Sequence, residues 1–66
     1  MLNELKLLLS LKGFSVHLQD GKLSVSSERR DVEIREVKKC IPTIWRKKLE
    51  YTERTARYTY VVLEEA

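Results

Sequence analysis

The first twelve residues place Leu5, Leu8, Leu9 and Leu11 on one wide face of a helix. Asn3 suits the N-cap, and Glu4 suits the first turn, where a carboxylate meets the positive end of the helix dipole. Leu2 before the cap and Leu7 one turn on have the spacing of a hydrophobic staple, and Gly13 is a natural C-terminal stop. The pattern predicts a helix over 3–12.

The period then drops from 3.6 to 2. Phe14, Val16 and Leu18 alternate with Ser15, His17 and Gln19, and Leu23 and Val25 alternate with Ser24 and Ser26. Between the two runs stands Asp20-Gly21, a pair suited to a type I′ turn because both central residues of that turn need positive φ. A two-residue loop pairs Gln19 with Lys22, Leu18 with Leu23 and Val16 with Val25, so apolar residues meet apolar partners on one face. The expectation is a β-hairpin.

Over 28–41, Asp31 can cap a helix that places Ile34, Val37 and Ile41 on one side, with Cys40 beside them. Asp31–Arg35 and Glu36–Lys39 would be supporting pairs on that helix, while Val32 and Ile34 also fit a strand. Pro42 ends the segment, and Thr43 can cap a new one. From Ile44 onward two readings stand. As a helix, Trp45, Leu49, Thr52 and Ala56 share one stripe, and Lys47, Tyr51, Arg54 and Tyr58 another. As a strand, 46–52 pairs with 57–63 across a loop at 53–56. Tyr58 to Leu63 is rich in β-branched and aromatic residues and reads as a strand in both cases. The fold class is α+β, one small domain over 1–66: an N-terminal helix, a hairpin, one or two helices and a C-terminal strand. The alternative is two helix-plus-hairpin halves.

A chain of 66 residues builds one small core, which rarely supplies more than ~3–5 kcal/mol, so a partner copy in a homodimer is a reasonable support. The net charge is only +3, yet 29–57 hold ten cations against five anions. Such a block attracts nucleic acid, anionic lipid or an acidic protein surface, and charge alone does not separate these. Leu7-Leu8-Leu9 is far short of a membrane span, Glu4 stands where a signal peptide would be basic, and no lipidation motif closes the sequence. With one free cysteine, these features suggest a cytoplasmic protein without a membrane partner.

The run from Leu5 through Lys12-Gly13-Phe14 and Val16-His17-Leu18-Gln19-Asp20-Gly21-Lys22-Leu23 to Leu49 resembles the TubC-type N-terminal docking domains of peptide and polyketide synthetase subunits. That resemblance implies an αββαα order and a short partner segment held at an exposed hairpin edge. Pro42 falls inside its helical region, and the strand-like 58–63 lies beyond it.

The candidate sites follow from these elements. Cys40 beside cations, with His17 as a base, is the sole nucleophile arrangement to consider, but Cys40 among Val37 and Ile41 reads as a small buried hydrophobe. Gly13 and Gly21 are explained by the backbone, and Cys40 with His17 is too few ligands for zinc. The expectation is therefore no enzyme, no cofactor and no metal. The leading reading is a docking or adaptor module that binds a protein segment through the hairpin edge, marked by Ser15, His17, Ser24 and Ser26, and its basic flank. The alternative is a nucleic-acid-binding accessory or regulatory protein using Trp45, Arg46, Lys47, Lys48, Tyr51, Arg54, Arg57 and Tyr58, with Tyr60 beyond them.

Overall fold

The computed structural model describes residues 1–66, in the order α1 (Leu2–Leu11), β1 (Ser15–Gln19), β2 (Lys22–Ser26), α2 (Ile34–Lys39), α3 (Thr43–Arg46), β3 (Leu49–Thr55) and β4 (Thr59–Glu65). The strands form one antiparallel sheet in the order β1-β2-β4-β3. The domain is α+β, and the arrangement of two helix-plus-hairpin halves is the one adopted. No helix is long and apolar enough to cross a membrane.

α1 begins earlier than its sequence suggests. Met1 is the N-cap and no side chain caps the helix, so Asn3 lies inside the first turn. Glu4 instead sits 3.0 Å from the N-terminal ammonium, whose hydrogen bond holds the carboxyl below its ordinary pKa. Leu7 is 69% exposed, which rules out the staple with Leu2. The C-terminus is a Schellman motif: Phe14 N–H donates to Leu9 O (3.2 Å) and Gly13 N–H to Ser10 O (3.1 Å), with Gly13 at φ +96°. Phe14 and Leu9 then meet in the core, and this fixes the angle at which the chain passes into β1.

The β1–β2 register matches the pairing arithmetic at every position, from Ser15 opposite Ser26 to Gln19 opposite Lys22. Asp20 (φ 54°) and Gly21 (φ 74°) both take the positive φ of a type I′ turn. β4 lies against the other side of β2, with Leu63 opposite Leu23 and Val61 opposite Val25.

The β3–β4 pairing corrects the sequence expectation. The loop is 56–58 rather than 53–56, and Leu49 to Thr55 pair with Glu65 to Thr59. The expected register would have set Arg46 and Lys48 opposite Leu63 and Val61. The observed one sets Tyr51 opposite Leu63 and puts Leu49 and Tyr51 on the core face, so the hydrophobic face decides the pairing.

The connection into α2 brings a second correction. Asp31 does not cap the helix, whose N-cap is Glu33. Its Oδ1 accepts the Thr59 N–H (2.7 Å), while Val32 N–H donates to Thr59 O (2.8 Å). These bonds tie the connection to the start of β4, beyond the end of β2. With α2 starting at Ile34, the expected Asp31–Arg35 and Glu36–Lys39 pairs give way to Arg30–Glu36 (2.8 Å) and Arg35–Glu33 (3.7 Å). Pro42, not Thr43, is the N-cap of the four-residue α3.

The core is one cluster of eleven buried residues, drawn from α1 (Leu5, Leu9), the chain around α2 (Val32, Val37, Ile41), Phe14 and the strands (Leu23, Val25, Leu49, Val61, Leu63). The helices therefore cover one face of the sheet. The opposite face carries Ser15, His17, Ser24, Ser26, Thr52, Arg54, Tyr60 and Val62, and it meets water.

Candidate functional site

The hairpin edge is built by β1. In a two-residue hairpin the pair beside the turn exchanges both backbone hydrogen bonds, and the pattern alternates from there. Gln19, His17 and Ser15 therefore direct their backbone groups toward β2, while Val16 and Leu18 direct theirs outward. β2 has no such free side, because β4 occupies it. The hairpin edge expected from the sequence is thus closed at β2 and open at β1.

The four predicted side chains share the outer face, although Ser24 and Ser26 stand on an interior strand. His17 Nε2 lies 3.1 Å from Gln19 Oε1, and Ser26 Oγ donates to Ser15 O (3.5 Å). The two outermost strands differ. β1 has no Asp, Glu, Lys, Arg or Pro, and its ladder runs unbroken over five residues. β3 carries Glu50, Glu53 and Arg54, and Glu53 Oε1 accepts the Ile34 N–H (3.5 Å) from α2 beside it. Charges and a neighbouring helix are the usual protections of an edge; β3 has both, and β1 lacks the charges.

The basic–aromatic set is divided rather than gathered. A helix would have put Lys47, Tyr51, Arg54 and Tyr58 on one stripe, but in a strand Tyr51 and Arg54 face opposite sides. Tyr51 is on the helix side. Its hydroxyl donates to Arg46 O (2.8 Å), Lys38 Nζ lies 4.6 Å from its ring centroid, and burial raises its pKa against the opposing pull of the Arg46 charge. Arg46 Nη2 donates to Ile41 O (3.0 Å), and Trp45 is half-buried against the core. Trp45, Arg46 and Tyr51 therefore hold α2, α3 and β3 together. Lys47 and Lys48 stand exposed between α3 and β3.

The remaining members meet on the outer face. Arg54 is the cross-strand partner of Tyr60, and the Arg57 guanidinium carbon lies 5.9 Å from the Tyr58 ring centroid. Arg29, which the sequence set omitted, joins them from the β2–α2 connection and lines one depression with Arg57, Tyr58 and Tyr60. No local pattern could have found Arg29. Its placement follows from β4 pairing with β2, a contact between distant parts of the chain.

Cys40 and His17 are separated by the sheet. Cys40 Sγ donates to Glu36 O (3.7 Å) on the helix side, and His17 is on the outer face. Another concavity, between α2 and β3, is lined by Arg35, Lys38, Lys39 and Arg46 with Glu33, Ile34 and Glu53. The chain matches no family model, no curated protein and no solved structure.

Proposed function

We propose that this chain is a non-catalytic docking module that adds an extended segment of a partner protein to its sheet along β1. The observation that supports this most is the contrast in charge between the two outermost strands, each of which has a helix packed beside it: β3 carries Glu50, Glu53 and Arg54, whereas β1 leaves the backbone groups of Val16 and Leu18 free beside uncharged neighbours. An added strand would gain backbone hydrogen bonds there, and the half-buried Val16 and Leu18 would extend the core face beneath it. The order helix, two strands, two short helices over Leu2–Arg46 is the order the docking-domain resemblance implies, while β3 and β4, which complete the same sheet, have no counterpart in it. Of the basic flank, Arg29 is the member beside the start of β1, where it shares a depression with Gly13 and Ser15. The half-buried free thiol of Cys40 suits a reducing compartment, consistent with work in the cytoplasm.

The test is Val16→Pro. The Val16 N–H faces away from β2, so proline removes an outward donor without breaking the hairpin ladder, and the outermost strand is where a sheet tolerates it. In pull-downs from nuclease-treated source lysate, the wild-type chain should retain protein partners that Val16→Pro loses, while its circular dichroism stays unchanged. Equal retention by both would refute docking at β1. A second copy of the chain is the other occupant this edge admits, and a doubled mass in light scattering that reverts in Val16→Pro would identify it.

A further inference from the structure

We infer that the outer sheet face holds a second site, for a few nucleotides of single-stranded nucleic acid, with Arg29, Arg54 and Arg57 on phosphates and Tyr58 and Tyr60 as stacking surfaces. The site does not use the outward backbone groups of β1, although Arg29 borders both surfaces and His17 and Gln19 line the depression that holds Arg54. Its parts come from three separated segments: the β2–α2 connection, the β3–β4 loop and the paired positions Arg54 and Tyr60. Two depressions on this face meet at Tyr60, one reaching Arg29 and Arg57, the other reaching Arg54.

The three arginines lack counter-ions. The ion pairs of the chain are Met1–Glu4, Arg30–Glu36 and Arg35–Glu33, and none involves Arg29, Arg54 or Arg57. Glu28 lines the same depression, so the local balance remains positive without being neutralised by direct pairing. The tyrosine hydroxyls are equally unengaged, and the one contact to either ring face is that of Arg57 with Tyr58. Tyr51 and Trp45 pack against the core, whereas Tyr58 and Tyr60 do not, and neither of their hydroxyls has a hydrogen-bond partner in the protein.

The ligand class follows from this chemistry. A guanidinium is planar and forks onto phosphate oxygens, and three of the four cations lining the two depressions are arginine, the fourth being Lys22, with Glu28 and Asp20 as the carboxylates beside them. An acidic peptide would satisfy those charges but would leave the accessible parts of two half-buried rings unused, while unstacked bases would cover them. Duplex bases are already stacked on one another, so the rings select a single strand. The extent is bounded as well. At the other end of the same face Glu50 pairs with Glu64, and these carboxylates repel a phosphate backbone, which leaves room for about two or three nucleotides at the typical strand and residue spacings of a sheet.

Fluorescence anisotropy with labelled 12-nucleotide single strands and matching duplexes, over a salt series, tests the site. Three neutralised single-strand phosphates predict a log–log salt slope of about −2. Arg29→Gln, Arg54→Gln and Arg57→Gln together should bring that slope close to zero, while Lys47→Gln with Lys48→Gln, at the far end of β3, should leave most of it. Tyr60→Leu should weaken binding by about 5- to 100-fold, and Tyr60→Phe, which keeps the ring, should bind as the wild type does. Melting curves confirm that each variant is folded. The inference fails if no binding tighter than ~10⁻⁴ M appears at low salt, if duplex binds as well as single strand, or if Tyr60→Leu changes nothing. It fails equally if an acidic peptide displaces the oligonucleotide at matched charge.

Discussion

Replacing Gly21 with valine isolates one term of the folding energy. A Cβ built at this position has no heavy atom within 4 Å, so the substitution creates no clash and removes no packing. What changes is the backbone. Gly21 sits at φ +74° in a turn whose first central residue, Asp20, is already at φ 54°, and the hairpin register leaves neither residue another conformation. For an L-residue the left-handed region costs roughly 1–2 kcal/mol, and a branched Cβ makes it worse. In a domain of 66 residues each 1 kcal/mol moves the melting midpoint by about 7 °C, so Gly21→Val should lower it by about 7–14 °C. Gly21→Asn is the control, because asparagine tolerates this region and should lose less than half as much. Thermal melts followed by circular dichroism at one fixed protein concentration decide the matter. A valine variant that melts within about 2 °C of the wild type would remove the type I′ turn from the explanation. Equal losses for valine and asparagine would show that something other than backbone strain is at work.

The remaining predictions concern the open edge, the alkaline limit and the tie at β4. Hydrogen exchange along β1 should alternate, with His17 and Gln19 amides protected and Val16 and Leu18 exchanging quickly; uniform protection would mean that the edge is already covered. Burial raises the Tyr51 pKa, so the folded state keeps that proton longer than the unfolded state, and stability is full below about pH 10 and falls as pH rises through the folded pKa. Urea melts at neutral and alkaline pH should show this fall weakened in Tyr51→Phe, which also loses the bond to Arg46 O at a cost of about 0.5–1.5 kcal/mol at neutral pH. Asp31→Ala removes the acceptor of the Thr59 N–H and should cost about 1 kcal/mol in the same urea assay; an unchanged midpoint would make that 2.7 Å bond inconsequential.

The elements read correctly from sequence are those whose determinants are local. The β1–β2 hairpin needs only period-two alternation and Asp20-Gly21, and its register follows within twelve residues. β3 was open between helix and strand because its core-facing side offers only Leu49 and Tyr51 before the charged Glu53, too few to display a period. β4 did carry a signal of its type, not of its place. Tyr60-Val61-Val62-Leu63 is aromatic and β-branched, which marks a strand, although its two neighbours in the sheet are not written there. Asp31 looked like a cap because capping is a local pattern, while the group it serves lies 28 residues away. The basic–aromatic set scattered for the same reason: helical and strand periods send Tyr51 and Arg54 to different sides.

The position of β4 is also what sorts the surface. By pairing with β2 it consumes one side of the first hairpin and leaves β1 as the side that can still accept a strand. By carrying β3 with it, β4 moves most of the basic block to the far side of the sheet, away from that edge, so the expected edge-plus-basic-flank becomes two adjoining surfaces with Arg29 between them. A core of eleven residues needs only one dry face, and the helices provide it. The opposite face is therefore free to carry unpaired Arg54 and half-buried Tyr60, side chains that contribute little to folding and whose neighbours leave them accessible. In a chain this short, binding chemistry belongs on strand edges and an open sheet face, because two small layers enclose no deep cavity.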